Sequence, residues 1–241
     1  MVYSSIDNKK IKDICKLNNK KYRDETGLFL VEGEHLVLEA YKSGYLESII
    51  LLEGTEFNID MNNIYVTDKV LKYISKLDNP QRIMGICRKL DNNTIGNRVV
   101  ILDNIQDPGN LGTIIRSCVA FNIDTIILSD NTVDLYNSKV VRGSQGLLFH
   151  SNILIKDIKN IIIELINDGY DIIGTKVDGG INIKELDFND KFAVVMGNEG
   201  NGVSDDILDL CTKYAHISMN PLCESLNVGV ATSIILYELN K

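Results

Sequence analysis

The chain has 241 residues, of which 44% are hydrophobic and 24% charged, and its net charge is −8. This composition is typical of a soluble globular protein with a sizeable core, and no apolar run approaches the length of a membrane span. The five cysteines are scattered and form no CxxC pair, so neither a disulfide framework nor a metal site is predicted. Because Met1–Lys10 also lacks the apolar core of a signal peptide, we expect a cytoplasmic protein.

The charge is distributed unevenly along the chain. Residues 1–98 carry 15 Lys and Arg against 14 Asp and Glu, a balance of +1, whereas residues 99–241 carry 10 against 19, a balance of −9. The overall negative charge argues against a nucleic-acid partner, since phosphate contacts require cations. The lysine-rich stretch 9–23 weakens that objection, because it forms either a solvated helix face or a surface that contacts RNA.

The N-terminal part predicts a small α/β unit. An amphipathic pattern predicts a helix over residues 5–22, and alternating strands and helices follow it. These are a strand at Leu28–Val31, a helix after Gly33 through Ala40, strands at Ser48–Leu52 and Ile64–Thr67, a helix at Lys69–Leu77 and a strand at Arg82–Cys87. The polar stretch Leu90–Asn97 lacks periodicity and is the predicted linker.

The C-terminal part predicts a parallel sheet with helices on both faces, because its strands are apolar throughout and alternate with helices. The predicted strands are Val99–Leu102, Thr125–Ser129, Ile153–Ile155, Tyr170–Thr175, Phe192–Met196 and Ala215–Met219, and the predicted helices are Leu111–Phe121, Ser138–Leu148, Ile158–Asn167, Asp205–Cys211 and Leu226–Leu239. Ligands bind such sheets beyond the carboxyl ends of the strands. This directs attention to the loops after Leu102, Met196 and Met219.

The loop after Leu102 carries polar side chains and leads into a helix. Asn104, Asp107 and Asn110 lie in the loop, and Arg116 follows in the helix. An arginine beside an apolar stripe can simply extend into solvent or pair with a carboxylate. Side-chain amides and a guanidinium near a helix start can instead hold a phosphate or a ribose.

The loop after Met196 reads GNEGNG over residues 197–202. Its glycines allow the backbone to approach a ligand closely or to adopt positive φ. The order differs from the GxGxxG of dinucleotide-binding enzymes, and a simple strand-to-helix turn is the commoner meaning of such a loop. A turn seldom requires a carboxylate, so Glu199 indicates a polar contact.

The loop after Met219 leads to a helix that is rich in small residues. Ser225 or Asn227 can cap this helix, and the small side chains allow another helix to pack closely against it. Cys223 suggests a covalent thiol mechanism. However, no general base accompanies this cysteine, and a free cysteine is often merely buried.

These three segments together resemble the SpoU class of the SPOUT RNA methyltransferases. The pattern NxxDPxNxGxxxR lies at residues 104–116, GNExxG at 197–202 and SLNV at 225–228. The resemblance covers residues 99–241, and Tyr22–Ala40 is similar to the substrate-binding domain that often precedes this catalytic domain.

The resemblance implies two domains of the α/β class. Residues 95–241 would form a parallel-sheet SPOUT domain with a C-terminal trefoil knot, and residues 1–94 a small α/β RNA substrate-binding domain. It also implies a homodimer whose active sites lie near the interface, where the helix at residues 110–121 and the C-terminal helix would pack.

The implied reaction transfers a methyl group from S-adenosylmethionine to a ribose 2′-OH of RNA. By position, the cofactor pocket would be lined by Thr175, Gly197, Ile217, Met219 and Leu226. The implied catalytic residues are Arg116, Asn110, Glu199, Ser225 and Asn227. One departure from the family is Leu222-Cys223-Glu224 after Pro221, where a small residue or glycine is usual. This departure would reshape the methionine end of the pocket.

The role of Arg116 has two readings, because a guanidinium stays protonated and is a poor base. It either binds the adjacent phosphate, whose oxygen takes the proton, or stabilises charge that develops on the 2′-oxygen.

The alternatives are a nucleotide-using Rossmann enzyme and an inactive RNA-binding protein of the same fold. Ribosomal RNA, with 23S rRNA as one candidate, is the expected substrate and transfer RNA the alternative. A role in antibiotic resistance stays open.

Overall fold

A computed structural model describes residues 1–240. The chain forms two compact units: Met1–Asp91 with Tyr136–His150, and Asn92–Leu135 with the residues from Ser151 onward. The chain passes from the first unit to the second within the predicted linker. Residues 136–150 pack with the first unit, although they follow a strand of the second.

The secondary structure runs through twelve strands and nine helices within residues 1–240. In chain order these are β1 (Val2–Tyr3), α1 (Lys9–Lys16), α2 (Lys20–Thr26), β2 (Leu28–Glu32), α3 (Glu34–Lys42), β3 (Leu46–Leu52), β4 (Asn63–Val66), α4 (Asp68–Ile74), β5 (Ile83–Arg88), β6 (Arg98–Leu102), α5 (Pro108–Ala120), β7 (Thr125–Leu128), α6 (Ser138–Gly143), β8 (Ile153–Ile155), α7 (Ile158–Asn167), β9 (Asp171–Thr175), β10 (Ile181–Asn182), β11 (Phe192–Met196), α8 (Asp205–Leu208), β12 (Lys213–His216) and α9 (Val228–Leu239).

The first unit is built on a five-stranded mixed sheet in the order β1-β4-β3-β5-β2. Helices α1 and α4 bury apolar side chains against it, among them Ile11, Ile14 and Ile74. The single helix predicted over residues 5–22 is wrong, because the chain turns after α1 and restarts at α2. Asn19 begins the second helix, since its side chain accepts a hydrogen bond from the Lys21 amide.

The second unit confirms the predicted α/β fold with a parallel sheet. Its seven strands lie in the order β10-β12-β9-β11-β6-β7-β8, and every pairing is parallel. Strands β6 and β11 are neighbours, with Leu102 opposite Met196 at their carboxyl ends. The two predicted site loops therefore start side by side at one edge of the sheet.

Several predicted elements of the C-terminal part end or begin at other residues, among them β12, α9 and α6. Strand β12 stops at His216, so residues 217–219 belong to the following loop. Helix α9 begins at Val228 because Asn227 caps it. Helix α6 ends at Gly143, since Gln145 (φ 53°) and Gly146 (φ 84°) adopt left-handed conformations that an α-helix cannot contain.

Within residues 1–240, no helix has the length and apolar character needed to cross a membrane.

The cysteines should differ sharply in reactivity. Burial raises the thiol pKa of Cys87 and Cys118, and that of Cys211 to about 11, whereas Cys223 is exposed and Cys15 half-buried. Because the thiolate is the nucleophile, we expect an aromatic disulfide reagent at neutral pH to label Cys223 first. The buried three should react only after unfolding. A rapid phase that persists in a Cys15→Ser/Cys223→Ser variant would contradict this burial pattern.

Candidate active site

The loop after β6 is fixed by the start of helix α5. Asp107 caps this helix, because its carboxylate accepts a hydrogen bond from the Asn110 amide at 2.9 Å, and Pro108 occupies the first turn. The helix therefore begins three residues earlier than predicted. Asn110 lies in its first turn, and its side chain is buried there.

Glu199 of the second loop accepts hydrogen bonds from the first loop. Its carboxylate receives the backbone amides of Gln106 at 3.2 Å and Asp107 at 3.0 Å, and the Asn110 side-chain amide at 3.0 Å. Partial burial opposes the charged form of Glu199, but these donors together outweigh it and lower its pKa. At neutral pH the group is therefore an anion that ties the two loops together.

Asn227 connects the third loop to the same network. Its side-chain nitrogen donates to the Asn110 side-chain oxygen at 2.8 Å, and its oxygen accepts from the amides of Gly229 and Val230 at the start of α9. All three sequence segments thus meet in one chain of hydrogen bonds, which runs from Glu199 through Asn110 to Asn227.

A cavity of about 520 Å³ lies beside this network, at the carboxyl ends of β9, β11 and β12. All five residues predicted to bind the cofactor line it, namely Thr175, Gly197, Ile217, Met219 and Leu226. Glu199 and Ser225 of the predicted catalytic set also line it. Its volume is within the ~300–1,000 Å³ usual for small-molecule sites.

Gly197 is required by the shape of the cavity wall. A Cβ at this position would lie 1.9 Å from the carbonyl carbon of Gly202, because residues 198 and 202 exchange two backbone hydrogen bonds across the loop. His216 also lines the cavity, and its Nδ1 is buried without a hydrogen-bond partner among residues 1–240. A buried polar atom without a partner suits a bound polar ligand.

Helices α5 and α9 pack through small side chains, as the sequence predicted for the C-terminal helix. Ser117 and Ser233 hydroxyls lie 2.7 Å apart, and a Cβ at Gly229 would come within 3.2 Å of the Thr113 side chain. This close packing keeps Asn110 and Asn227, one near the start of each helix, within hydrogen-bond distance.

Arg116 lies away from the other predicted catalytic residues. It is exposed on α5, it does not line the cavity, and it has no hydrogen bond or ion pair within residues 1–240. The helix geometry explains this, since six residues at about 100° each turn the Arg116 side chain well away from that of Asn110. A single chain therefore assembles Asn110, Glu199 and Asn227 but leaves Arg116 outside.

The sequence reasoning missed three polar residues that hold the loops. The Asp103 carboxylate accepts hydrogen bonds from the amide and hydroxyl of Ser204 at 3.0 and 2.8 Å. The Gln106 side chain donates to the Asn104 side-chain oxygen at 2.6 Å, and the Asn198 side chain donates to the Asn104 backbone carbonyl at 2.8 Å. All three lie within the motif loops, but a single sequence does not indicate their partners.

Comparison with known families identifies the family of each part of the chain. Residues 97–237 match the SpoU rRNA Methylase family, and residues 8–85 match the MRM3-like substrate binding domain. The chain belongs to the SpoU rRNA methylase family. The predicted family and the predicted methyltransferase activity are thereby confirmed, and the alternative of a nucleotide-using Rossmann enzyme is excluded.

Relatives of known name extend over nearly the whole chain. The chain is 34% identical to the 23S rRNA (guanosine(2553)-2′-O)-methyltransferase RlmP of Bacillus subtilis, over 98% of this chain and 97% of that protein. It is 28% identical to an uncharacterized tRNA/rRNA methyltransferase of Synechocystis, over 99% of this chain and 93% of that protein. An S-adenosylmethionine-bound rRNA methyltransferase from Sinorhizobium meliloti superimposes with a TM-score of 0.87 at 29% identity, covering 99% of this chain and 96% of that one.

The cofactor of this SpoU enzyme is S-adenosylmethionine, as predicted. The cavity residues fit this group. Ile217, Leu226 and the apolar side chains of α9 that line the cavity suit the apolar parts of this group, and Thr175, Asn198 and Ser225 offer polar groups beside them.

The fit at Gly197 predicts a clear difference between two glycines of one loop. Gly197→Ala forces a Cβ into the Gly202 backbone, whereas a Cβ at Gly200 would meet only the Asn198 side-chain oxygen at 3.5 Å. We expect calorimetry to show at least tenfold weaker S-adenosylmethionine binding for Gly197→Ala and a near-normal affinity for Gly200→Ala. Equal affinities in the two variants would refute the assigned role of Gly197.

The Glu199 network predicts a pH-dependent contribution to stability. Because the folded-state pKa of Glu199 is lowered, its contribution is present above the usual glutamate range and is lost as pH falls through the folded pKa. The variant Glu199→Gln should have a free energy of unfolding at pH 7 that is lower by at most about 1 kcal/mol, because solvent screens the exposed carboxylate. The difference should shrink as the pH falls below the usual glutamate range. Urea unfolding measures this, with exposed Glu164→Gln as control. A pH-independent difference would contradict it.

Proposed function

We propose that this chain transfers the methyl group of S-adenosylmethionine to a ribose 2′-OH of 23S rRNA. The observation that carries the proposal is the hydrogen-bonded chain Glu199–Asn110–Asn227, which joins all three family segments beside the cavity. The name of the Bacillus subtilis relative, which aligns over nearly the full length, supports the ribose and the ribosomal substrate. Transfer RNA is the second candidate, because the Synechocystis relative is named for either RNA.

In this proposal the two domains of the chain have different functions. Residues 1–94 hold the RNA, and residues 95–241 form the knotted methyltransferase domain. The charge distribution supports this division, since the catalytic part is strongly acidic and the N-terminal part is not. The free cysteines are consistent with a cytoplasmic protein.

When bound, S-adenosylmethionine supplies an electrophilic methyl group on a sulfonium. The residues expected to hold it are Thr175, Gly197, Ile217, Met219 and Leu226. Glu199 and Asn110 keep the first and second loops in a fixed relation, and Ser225 is placed at the cavity wall, where its hydroxyl can orient the ribose. These residues position the 2′-OH rather than remove its proton.

Arg116 would act from a position outside the cavity of its own chain. A guanidinium does not serve as a base at neutral pH. Arg116 instead either binds the adjacent phosphate, whose oxygen takes the 2′-OH proton, or stabilises the charge on the 2′-oxygen while the proton leaves to water. A homodimer that forms through α5 and α9 would place Arg116 at the interface, near the active sites. Helix α9 exposes Val230 and Tyr237, whose apolar surfaces suit a second copy of the chain.

The assignment of Arg116 predicts a selective loss of activity. Arg116→Lys keeps the charge but loses the planar, two-pronged donor, so methyl transfer to 23S rRNA should fall about 100-fold or more. Binding of S-adenosylmethionine should survive, since Arg116 does not line the cavity. Transfer of tritiated methyl groups and calorimetry measure the two effects. The control variant is Arg88→Lys, which changes another exposed arginine. Full activity of Arg116→Lys would contradict the catalytic role assigned to Arg116.

A further inference from the structure

The first unit carries a groove lined by charged, polar and aromatic side chains. It has a volume of about 700 Å³ and lies between α1, the turn into α2 and the end of α4. Its lining combines cations, aromatic rings and side-chain amides: Lys12, Cys15, Lys16, Asn18, Asn19, Tyr22, Tyr73 and Lys76. No carboxylate is among these residues.

The walls of the groove are fixed by hydrogen bonds between distant parts of the chain. The Asn18 side chain donates to the Ile74 carbonyl at 2.8 Å, and the Cys15 thiol donates to the Tyr73 carbonyl at 3.5 Å. These contacts join the α1–α2 turn to the end of α4. Beneath them, buried Arg23 donates to the Leu17 carbonyl at 2.8 Å and so holds α2 against the end of α1. The walls of the groove are therefore held in place by hydrogen bonds.

The cations of the groove are available to an anionic ligand. Lys12 pairs with Asp7 and Lys16 with Asp13, each at 2.8 Å, but all four side chains are largely exposed. Exposed pairs of this kind contribute about 0–1 kcal/mol, so a phosphate can replace the carboxylate at little cost. Lys76 has no ion pair through its ammonium group within the described residues 1–240.

The aromatic rings of the groove offer surfaces on which bases can stack. Tyr73 is 42% exposed at the groove. Tyr22 is half-buried, with the Lys16 ammonium 5.5 Å from its ring centre. Aromatic faces with flanking lysines suit single-stranded RNA, because unpaired bases stack on the rings while the cations contact the backbone. A paired base in a duplex cannot stack in this way.

We propose that this groove binds an unpaired segment of the RNA substrate, with a base stacked on Tyr73 and a backbone phosphate at Lys76. The inference rests on the proposed RNA methyltransferase function and adds a substrate contact remote in sequence from the three methyltransferase segments. It also offers RNA a local group of three lysines on a chain of net charge −8.

The test compares full-length variants that are matched in pairs. Tyr73→Leu is compared with Tyr41→Leu, because Tyr41 is 39% exposed in the same unit but lies outside the groove. Lys76→Gln is compared with Lys72→Gln, which removes the same charge from a neighbouring exposed position. Thermal unfolding first establishes that all four variants are folded.

Binding is measured by fluorescence anisotropy with a labelled oligouridylate, and with heparin as a polyanion that has no bases. We expect Tyr73→Leu to weaken oligouridylate binding about fivefold or more and to leave heparin binding unchanged. Lys76→Gln should weaken both and should lower the salt dependence of oligouridylate binding by roughly 0.7 in slope, the value for one phosphate contact on a single strand. Both control variants should bind oligouridylate more tightly than their partners.

Methyl transfer to 23S rRNA separates the possible failures. If the groove binds RNA, Tyr73→Leu and Lys76→Gln raise the KM for rRNA more than kcat falls. If the wild type methylates rRNA but each groove variant behaves like its control in binding and KM, the groove inference is overturned and the proposed function stands. If Tyr73→Leu cannot fold, the Lys76→Gln comparison decides alone. A wild type that methylates no RNA overturns the proposed function itself.

Discussion

The site depends on one buried amide, the side chain of Asn110. It donates to the Glu199 carboxylate and accepts from Asn227, so it is the common member of two hydrogen bonds that join loops far apart in the chain. A side-chain amide is suited to this position because it offers a donor and an acceptor at once. A hydrophobic residue of the same size would remove one of the donors to the Glu199 carboxylate and would leave the Asn227 side-chain nitrogen without its acceptor. Leaving such groups unpaired costs more than the hydrogen bonds contribute.

The order of the strands makes this arrangement possible. Strand β11 enters the sheet beside β6, so the glycine loop after Met196 emerges next to the polar loop after Leu102. The close packing of α5 and α9 then brings the third loop to the same edge. The backbone around Gly197 folds back on itself and leaves a cavity there, so the cofactor site and the hydrogen-bonded network share the Glu199 loop.

Much of this site was predictable from the sequence, because the signals are local. Apolar strands that end at Leu102 and Met196 and lead into polar and glycine-rich loops predict a site at the carboxyl edge of the sheet. What the sequence did not contain was the pairing of side chains across the fold. Nothing local indicates that Asp103 holds Ser204, or that Arg116 turns away from Asn110.

The N-terminal unit also contains elements that the sequence pattern alone does not predict. An amphipathic pattern over residues 5–22 cannot distinguish one helix from two, since the break depends on Asn19 acting as a cap rather than as an exposed helical residue. Likewise, residues 136–150 have the pattern of a helix that continues the parallel domain, but they pack with the first unit. Such assignments depend on tertiary contacts, which periodicity does not report.

In the proposed function, this SpoU enzyme transfers a methyl group to a ribose oxygen of ribosomal RNA. The most direct measurement is to methylate a 23S rRNA transcript with the purified chain and labelled S-adenosylmethionine, and then to digest the product with alkali. A 2′-O-methyl group protects the adjacent phosphodiester, so the account predicts that the label is recovered in alkali-resistant dinucleotides. Label recovered only in mononucleotides would place the methyl group on a base and contradict the account.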